Sequence, residues 1–445
     1  MKILLIGKGG REHALVWKLA QSPRISEIHC APGNPGIGKE MAELVNLVDI
    51  EAKEIQKLAD YASANGIDIT VVGPEEPLAL GIVDEFRDRG LKILGPHQEA
   101  SELEASKIYS KALLSDYGIP TPSKYCYFLP SLLSFRDFER CIEYISGIIQ
   151  EEFGKEPFPL VAKLDELASG KGVKVCRKWE DLYHFVEQFA PEEQGEILPN
   201  MIFEEMIEGE EISYIVMIDE KGNVLPLESS RDYKTLCDGD RGPNTGGMGA
   251  YSPDPNVTPE VEEKILKEVV RPTVEAMKKE DLLYPGFLYF GLMISEKKPY
   301  TLELNVRLGD PETQPLLFRM ETDLLDLIEA ALHGTLDQQK TDWDPRPAMS
   351  LVLAAPGYPE EPRQGIPIEI EDIENAKMRG GKVFHSGTAR DESGNLISAG
   401  GRILSLTSMG SNFISAQSNI YKMLREFKYE LFVYRTDIGD KVIHR

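Results

Sequence analysis

The first hundred residues alternate short apolar runs with amphipathic segments, and that rhythm limits the possible folds more than any other feature of the chain. Residues 2–6 are apolar and stop at Gly7; residues 11–21 then carry Ala14, Leu15, Lys18 and Leu19 at helical spacing. Residues 27–31 read as a second strand, closed by Pro32-Gly33-Asn34-Pro35-Gly36. An amphipathic helix follows over 52–64, with Ile55, Leu58, Ala59 and Ala62 on one face. A strand at 69–72, a helix at 82–89 and a strand at 91–94 complete the pattern, the two strands ending at Gly73-Pro74 and Gly95-Pro96. Strands that alternate with helices predict an α/β fold built on a parallel sheet.

The chain has 445 residues, which at about 150 residues per domain implies about three domains. A helix is predicted over 102–117, ended by Gly118 and Pro120. Residues 121–205 are less regular and hold a glycine-rich turn between β-like runs at 160–163 and 173–176. Further strands are predicted at 202–205, 212–218 and 301–308, a long polar loop at 231–251 and a helix near 260–280. The end of the chain is β-rich, with a hairpin turn at 391–395 and a closing helix near 412–427.

Formal net charge is −25, so the surface repels polyanions and disfavours nucleic acid or an anionic membrane as partner. A local cluster of cations can still bind a small phosphorylated ligand. Cys30, Cys126, Cys141, Cys176 and Cys237 are scattered, with no CxxC pair, which fits reduced thiols in a cytoplasmic protein. The start lacks a secretory pattern and no run is long enough to span a membrane.

The strand predicted at 301–308 carries the most chemistry. Side chains alternate between faces, so Leu302, Leu304, Val306 and Leu308 face a core while Glu303, Asn305 and Arg307 share the other side. A buried row of carboxylate, amide and guanidinium is costly unless a ligand satisfies it. Carboxylate and amide oxygens suit Mg²⁺, and a guanidinium suits a phosphoryl or carboxylate group. Gly309-Asp310-Pro311-Glu312-Thr313-Gln314 continues the polar stretch.

Four other segments stand out. The turn Gly7-Lys8-Gly9-Gly10-Arg11-Glu12-His13 could meet a phosphate at a helix start, or be a tight structural turn. A dinucleotide fingerprint needs a third glycine where Glu12 stands, and an acidic residue where Cys30 and Ala31 stand, which disfavours a nicotinamide oxidoreductase. Ser169-Gly170-Lys171-Gly172 is not a Walker loop, because Val173 follows the last glycine; it reads as a flap over phosphates or a plain hairpin turn. The segment from Asp232 to Gly249 is longer than most structureless loops and dense in hydrogen-bonding groups, which favours substrate binding. Glu204-Glu205, closing a strand, could hold a ribose or an adenine amine, or form a surface acidic patch.

Together these motifs resemble the phosphoribosylamine–glycine ligase (glycinamide ribonucleotide synthetase) family, ATP-grasp enzymes of purine biosynthesis. The likeness spans the chain and is carried by GKGGREHAL (7–15), APGNPG (31–36), VVGPEEPL (71–78), ASK (105–107), KLDELASGKG (163–172), DRGPNTGGMGAYSP (240–253) and ELNVRLGDPETQ (303–314). The resemblance implies a Rossmann-like domain at 1–101, an ATP-grasp core at 102–119 and 206–330, a lid lobe at 120–205 and a β-rich C-terminal domain at 331–445. It implies ligation of glycine to 5-phosphoribosylamine with ATP and Mg²⁺ or Mn²⁺, by a monomer or weak homodimer. Lys107 and Lys163 are then the phosphate-contacting lysines, Ser169, Gly170, Lys171 and Gly172 the flap, and Glu204, Glu205 and Glu211 the adenine- and ribose-binding stretch. Glu303 and Asn305 are implied as metal ligands and Arg307 as the residue on the transferring phosphoryl, with Asp232 and Lys234 also catalytic. Asn244, Thr245, Gly246, Met248, Asp310, Pro311, Glu312 and Thr313 are implied to hold the two substrates. The sugar phosphate is expected at Gly9, Gly10, Arg11 and Glu12, on the helix-start argument.

The chain departs from the family pattern at Glu166, usually glycine, at Tyr233, usually histidine, and at Leu308, usually phenylalanine. Residues 140–158 look like a surface insertion. A purine-pathway carboxylase would keep the ATP residues but lack the 243–253 string; a non-catalytic sensor would lose Glu303, Asn305 or Arg307, and all three are present.

Overall fold

The structure, a computed structural model, describes all residues except 42, 134–136, 167–171, 191–196 and 445, and excludes the side chains of 39, 40 and 429. The apolar runs of the first hundred residues form β1 (Lys2–Gly7), β2 (Glu27–Pro32), β3 (Val45–Leu47), β4 (Ile69–Val72) and β5 (Ile93–Leu94). They pair in parallel in the order β3-β2-β1-β4-β5. Alternation along β1 sends Leu4 and Ile6 into one core and Ile3 and Leu5 into another, so both faces of the sheet are covered. The order reverses at β1, and the strand ends there open a crevice of the kind in which such sheets bind ligands.

The helix predicted over 102–117 is broken. Gln98–Ala105 and Lys107–Asp116 are separate helices, and Ser106 between them caps the second, its Oγ accepting the Tyr109 N–H at 3.0 Å. The break starts a new helix at Lys107.

Four strands, β6 (Tyr125–Phe128), β7 (Leu160–Leu164), β8 (Val173–Cys176) and β9 (Met201–Glu205), form an antiparallel lid sheet in the order β6-β9-β7-β8. The stretch expected as a surface insertion is mostly the helix Phe138–Phe153. Its Cys141, Ile145 and Ile149, four apart, are buried in the lid core, so it is a structural member of the lobe.

Next come β10 (Glu210–Ile218) and β11 (Val224–Pro226). The segment expected as a loop holds four short strands, β12 (Arg231–Asp232), β13 (Thr235–Cys237), β14 (Arg241–Asn244) and β15 (Gly249–Ser252). Buried backbone needs partners, and strand pairing supplies them. After them, β16 (Gly286–Ser295) and β17 (Lys298–Asn305) complete an antiparallel sheet in the order β11-β10-β16-β17. β13 and β14 pair as a hairpin. β12 and β15 instead join β18 (Ala348–Ala354), β19 (Gly381–His385) and, past the hairpin β20 (Thr388–Arg390) and β21 (Leu396–Ser398), β22 (Arg402–Met409). That C-terminal sheet runs β12-β15-β18-β22-β19, so its edge is built from the predicted substrate loop.

β17 differs from a plain alternating strand. Gly291 pairs with Glu303 and Leu292 with Thr301, leaving Leu302 as the extra residue of a bulge. Leu302 therefore leaves the core side and lines a cavity, while Leu304, Val306 and Leu308 stay buried.

Candidate active site

The cavity, about 600 Å³, lies where the N-terminal sheet, the lid, the central sheet and the C-terminal sheet meet. Glu303, Asn305 and Arg307 all line it. Lys234 Nζ bonds the Glu211 carboxylate and lies 3.7 Å from Glu303 Oε1. That ammonium, helped by Lys107 and Lys163 against the effect of burial, holds the Glu303 carboxyl down at about 2. Burial and the nearby carboxylates of Glu312, Glu211 and Glu303 push Asp232 up against the opposing charge of Lys234.

Arg307 is gripped on every side. Nη2 reaches Glu104 at 2.5 Å and Asn305 Oδ1 at 3.3 Å, Nε reaches Glu75 at 3.2 Å, and Nη1 donates to the Leu308 carbonyl at 3.2 Å. The two carboxyls respond in opposite ways. Burial opposes ionisation of Glu75, but Arg307 and Arg11 hold it down at about 2. Burial dominates at Glu104 and lifts it to about 7, with Glu75 adding repulsion and Arg307 only partly offsetting both.

The lysines converge from the other side. Lys107 Nζ donates to the Glu166 carbonyl at 2.9 Å, and burial lowers its pKa. Lys163 Nζ donates to the Leu302 carbonyl at 2.9 Å, which ties the lid to β17. Glu204 sits between Lys163 at 2.5 Å and Lys111 at 2.7 Å. Glu205 Oε1 accepts from Ser123 N and Oγ, at 2.6 and 2.7 Å. Both carboxylates line the cavity, yet both already have protein partners.

Of the remaining predicted residues, Glu211, Gly172, Asn244, Thr245, Gly246, Asp310 and Glu312 also line the cavity. Asp310 is held by Arg402 at 3.1 Å and by Gln314 Nε2 at 2.8 Å; Glu312 accepts from Tyr289 at 3.0 Å. Ser169, Gly170 and Lys171 lie outside the described residues. From the N-terminal turn only Arg11 reaches the cavity. The Gly9 N–H is taken by Glu12 Oε2 at 2.6 Å, so the turn is closed by its own carboxylate. A Cβ on Gly7 or Gly73 would come within 2.6 or 2.2 Å of that side chain, which explains both glycines. Gly10 instead packs against Gln314 and Ser386. Met248 is fully buried, Pro311 packs on Gly247, and the Thr313 hydroxyl is spent on the Gly309 carbonyl.

Sequence reasoning did not single out Glu75, Glu104, Lys111, Tyr289 or Arg402, all of which line the cavity. Lys111 was within reach of a pattern argument, one helical turn beyond Lys107. Glu75 lies inside the 71–78 motif, and Arg402 has no local signal.

A parallel N-terminal sheet, a lid and central sheet closing on a cavity lined by interleaved cations and carboxylates, and a C-terminal antiparallel sheet define an ATP-grasp ligase. The comparisons narrow the class. The description "Phosphoribosylglycinamide synthetase" matches as N domain over residues 1–104, as ATP-grasp (A) domain over 105–313 and as C domain over 348–441. The chain belongs to the phosphoribosylglycinamide synthetase family. It is 43% identical, over all of both chains, to phosphoribosylamine–glycine ligase of Neisseria meningitidis serogroup B. The crystal structure of phosphoribosylamine–glycine ligase from Thermotoga maritima covers 98% of this chain and 100% of its own, at 29% identity and a TM-score of 0.76. The biotin carboxylase domain of Hydrogenobacter thermophilus 2-oxoglutarate carboxylase, solved with MgADP and bicarbonate, covers 97% of this chain and 90% of its own at 17% identity and a TM-score of 0.64, a likeness of fold alone.

Proposed function

We propose that the protein ligates glycine to 5-phosphoribosylamine with ATP, giving glycinamide ribonucleotide, ADP and phosphate through a glycyl phosphate. The observation that carries this is the convergence of Glu303, Asn305 and Arg307 on one cavity with Lys107, Lys163, Lys234 and the 244–246 loop. The glycine carboxylate attacks the γ-phosphorus and ADP leaves; the amine nitrogen then attacks the carbonyl carbon, and phosphate leaves as the nitrogen gives up a proton. Lys107 and Lys163 neutralise the nucleotide phosphates, and Arg307, already oriented by Glu75 and Glu104, faces the transferring group.

Glu303 and Asn305 offer a carboxylate and an amide oxygen to the cavity, a donor pair suited to Mg²⁺ or Mn²⁺ that leaves other positions to phosphate and water. A metal held there would draw charge off the γ-phosphate. Asp310, Glu312, Arg11 and Arg402 are the groups left to bind glycine and the phosphosugar amine. Gly9, Gly10 and Glu12 enter this reading only as the turn that orients Arg11, and Met248, Pro311 and Thr313 only as supports of the loops that bind. Glu204 is read as the group that aligns Lys163 rather than as a ribose ligand. The protein acts on small molecules, in the cytoplasm, in keeping with its five free thiols, and works as a monomer or weak homodimer.

The test is isotopic. Glycine labelled with ¹⁸O in its carboxylate should transfer one labelled oxygen to inorganic phosphate. Unlabelled phosphate, or phosphate release driven by bicarbonate instead of glycine, overturns the reading.

A further inference from the structure

Strand β12 and the residue pair after it carry the chain through Asp232, Tyr233 and Lys234, and the three side chains divide. Asp232 and Lys234 line the cavity, whereas Tyr233 is buried in the C-terminal core. Its backbone is paired to Gly249 and Met248, so the ring cannot shift without moving the residues beside it. The tail of the chain holds that ring. The Tyr233 hydroxyl accepts the Gly439 N–H at 2.8 Å. The Arg435 guanidinium lies 4.8 Å from the ring centroid, and the Lys441 ammonium 5.1 Å.

The same tail grips the hairpin that follows. Arg435, fully buried, donates to Thr235 Oγ1 at 2.7 Å, to Asp240 at 3.2 Å and to both Asp437 oxygens at 2.7 Å. Thr436 N donates to Asp238 at 2.8 Å, Gly239 N donates to Asp437 at 2.9 Å, and Lys441 pairs with Asp240 at 2.6 Å. Residues 435–441 thus fasten both the base and the tip of the hairpin β13–β14. At its base, where Asn244 pairs with Thr235, the hairpin touches the lid, Asn244 Nδ2 donating to the Val173 carbonyl at 3.1 Å.

We propose that residues 435–441 are a positioning element of the ligase site, setting Lys234 and Asp232 through the ring of Tyr233 and setting the hairpin's reach to the lid through Arg435. The proposal rests on the ligase reading above. Arg435, Thr436, Asp437 and Gly439 stay off the cavity and fix the loop that presents the reacting groups, whereas Lys441 both pairs with Asp240 and lines the cavity. Misplacing a reacting group by about 1 Å can cost about 100-fold in rate, so a buried ring at the root of the loop is a sensitive point.

The experiment compares Tyr233→Leu, Tyr233→Phe and Asp437→Asn with the wild type. Steady-state kinetics are measured for glycine and phosphoribosylamine, and affinity for a non-hydrolysable ATP analogue by calorimetry. Tyr233→Leu is expected to lower kcat/KM for glycine and phosphoribosylamine at least about tenfold while analogue affinity stays within about twofold. Tyr233→Phe keeps the ring under Arg435, loses the Gly439 bond and should fall between. Should Tyr233→Leu fail to fold, Asp437→Asn, on a partly exposed side chain that holds Arg435 and lies off the cavity, is expected to give the same split at about threefold. The proposal is overturned by wild-type kcat/KM in Tyr233→Leu or, should that variant not fold, in Asp437→Asn; by a Phe variant no better than Leu; or by substrate and analogue affinities falling together. A wild type that cannot turn over glycine shows separately, as failure of the ligase reading, and takes the proposal with it.

Discussion

Glu303 faces the Lys234 ammonium across 3.7 Å and shares the cavity with Asn305, so its carboxylate stays ionised well into acid. Under the function proposed above Glu303 is the strongest candidate metal donor, so its removal should weaken metal binding at the site. Glu303→Ala is predicted to lower kcat by about 100-fold or more, read by ADP release, with an unchanged circular-dichroism spectrum. Full activity in that variant would refute the metal assignment. The carboxyls around Arg307 predict two opposite pH effects. Glu75 lies below the ordinary carboxylate value, so its contribution to stability is complete above about pH 4.5 and lost as pH falls toward about 2. The Tm deficit of Glu75→Gln should therefore shrink over that interval. Glu104 lies above its ordinary value, so its contribution is present below about pH 4.5 and lost as pH rises through about 7. Relative to wild type, Glu104→Gln should gain in Tm as pH rises across that range. A gap independent of pH in either variant would refute the corresponding shift.

Between elements, the break at Ser106 matters most for the site. Asp165 Oδ1 accepts from Ser106 Oγ and from the Ile108 N–H, both at 2.9 Å, so a lid residue caps the helix that begins at Lys107. Asp165→Ala is predicted to cost about 1 kcal/mol in urea denaturation, as loss of a helix cap does. It should also weaken binding of an ATP analogue, because the segment carrying Glu166 loses its Asp165 bonds to that helix and is left with the bond from Lys107. A variant as stable as wild type would contradict the capping role. The parallel N-terminal sheet was legible because period and punctuation are local. The cap at Ser106 was not, since a Ser inside a helical pattern reads as helix until a partner such as Asp165 appears. The bulge at Leu302 depends on the register of β16, which a single strand's alternation does not contain. The 231–251 segment looked like a loop for a related reason: β12 pairs with β15 and β13 with β14 over a few residues only, and β15 is completed by β18, about a hundred positions further along.

Taken as one molecule, the site belongs to no single domain. Glu75 comes from the helix that follows β4, Lys163 from the lid, Glu303 from the central sheet, Arg307 from the turn after β17, and Arg402 from the C-terminal sheet. Arg402 Nη1 donates to the Gly246 and Asp310 carbonyls, both at 2.6 Å, and so joins the substrate loop to the 309–314 stretch. Nothing near Arg402 in the chain announces this, because the contact exists only after four units have packed. The carboxylate, amide and guanidinium of residues 303–307 could be read from alternation, but the clamps on Arg307 and Glu204 required the fold. The central claim is that this assembled cavity couples ATP cleavage to joining glycine and phosphoribosylamine. The direct measurement is coupled ADP release by purified protein with each substrate omitted and then restored. The account predicts ADP only when glycine and phosphoribosylamine are both present; steady ADP release with glycine omitted would contradict it.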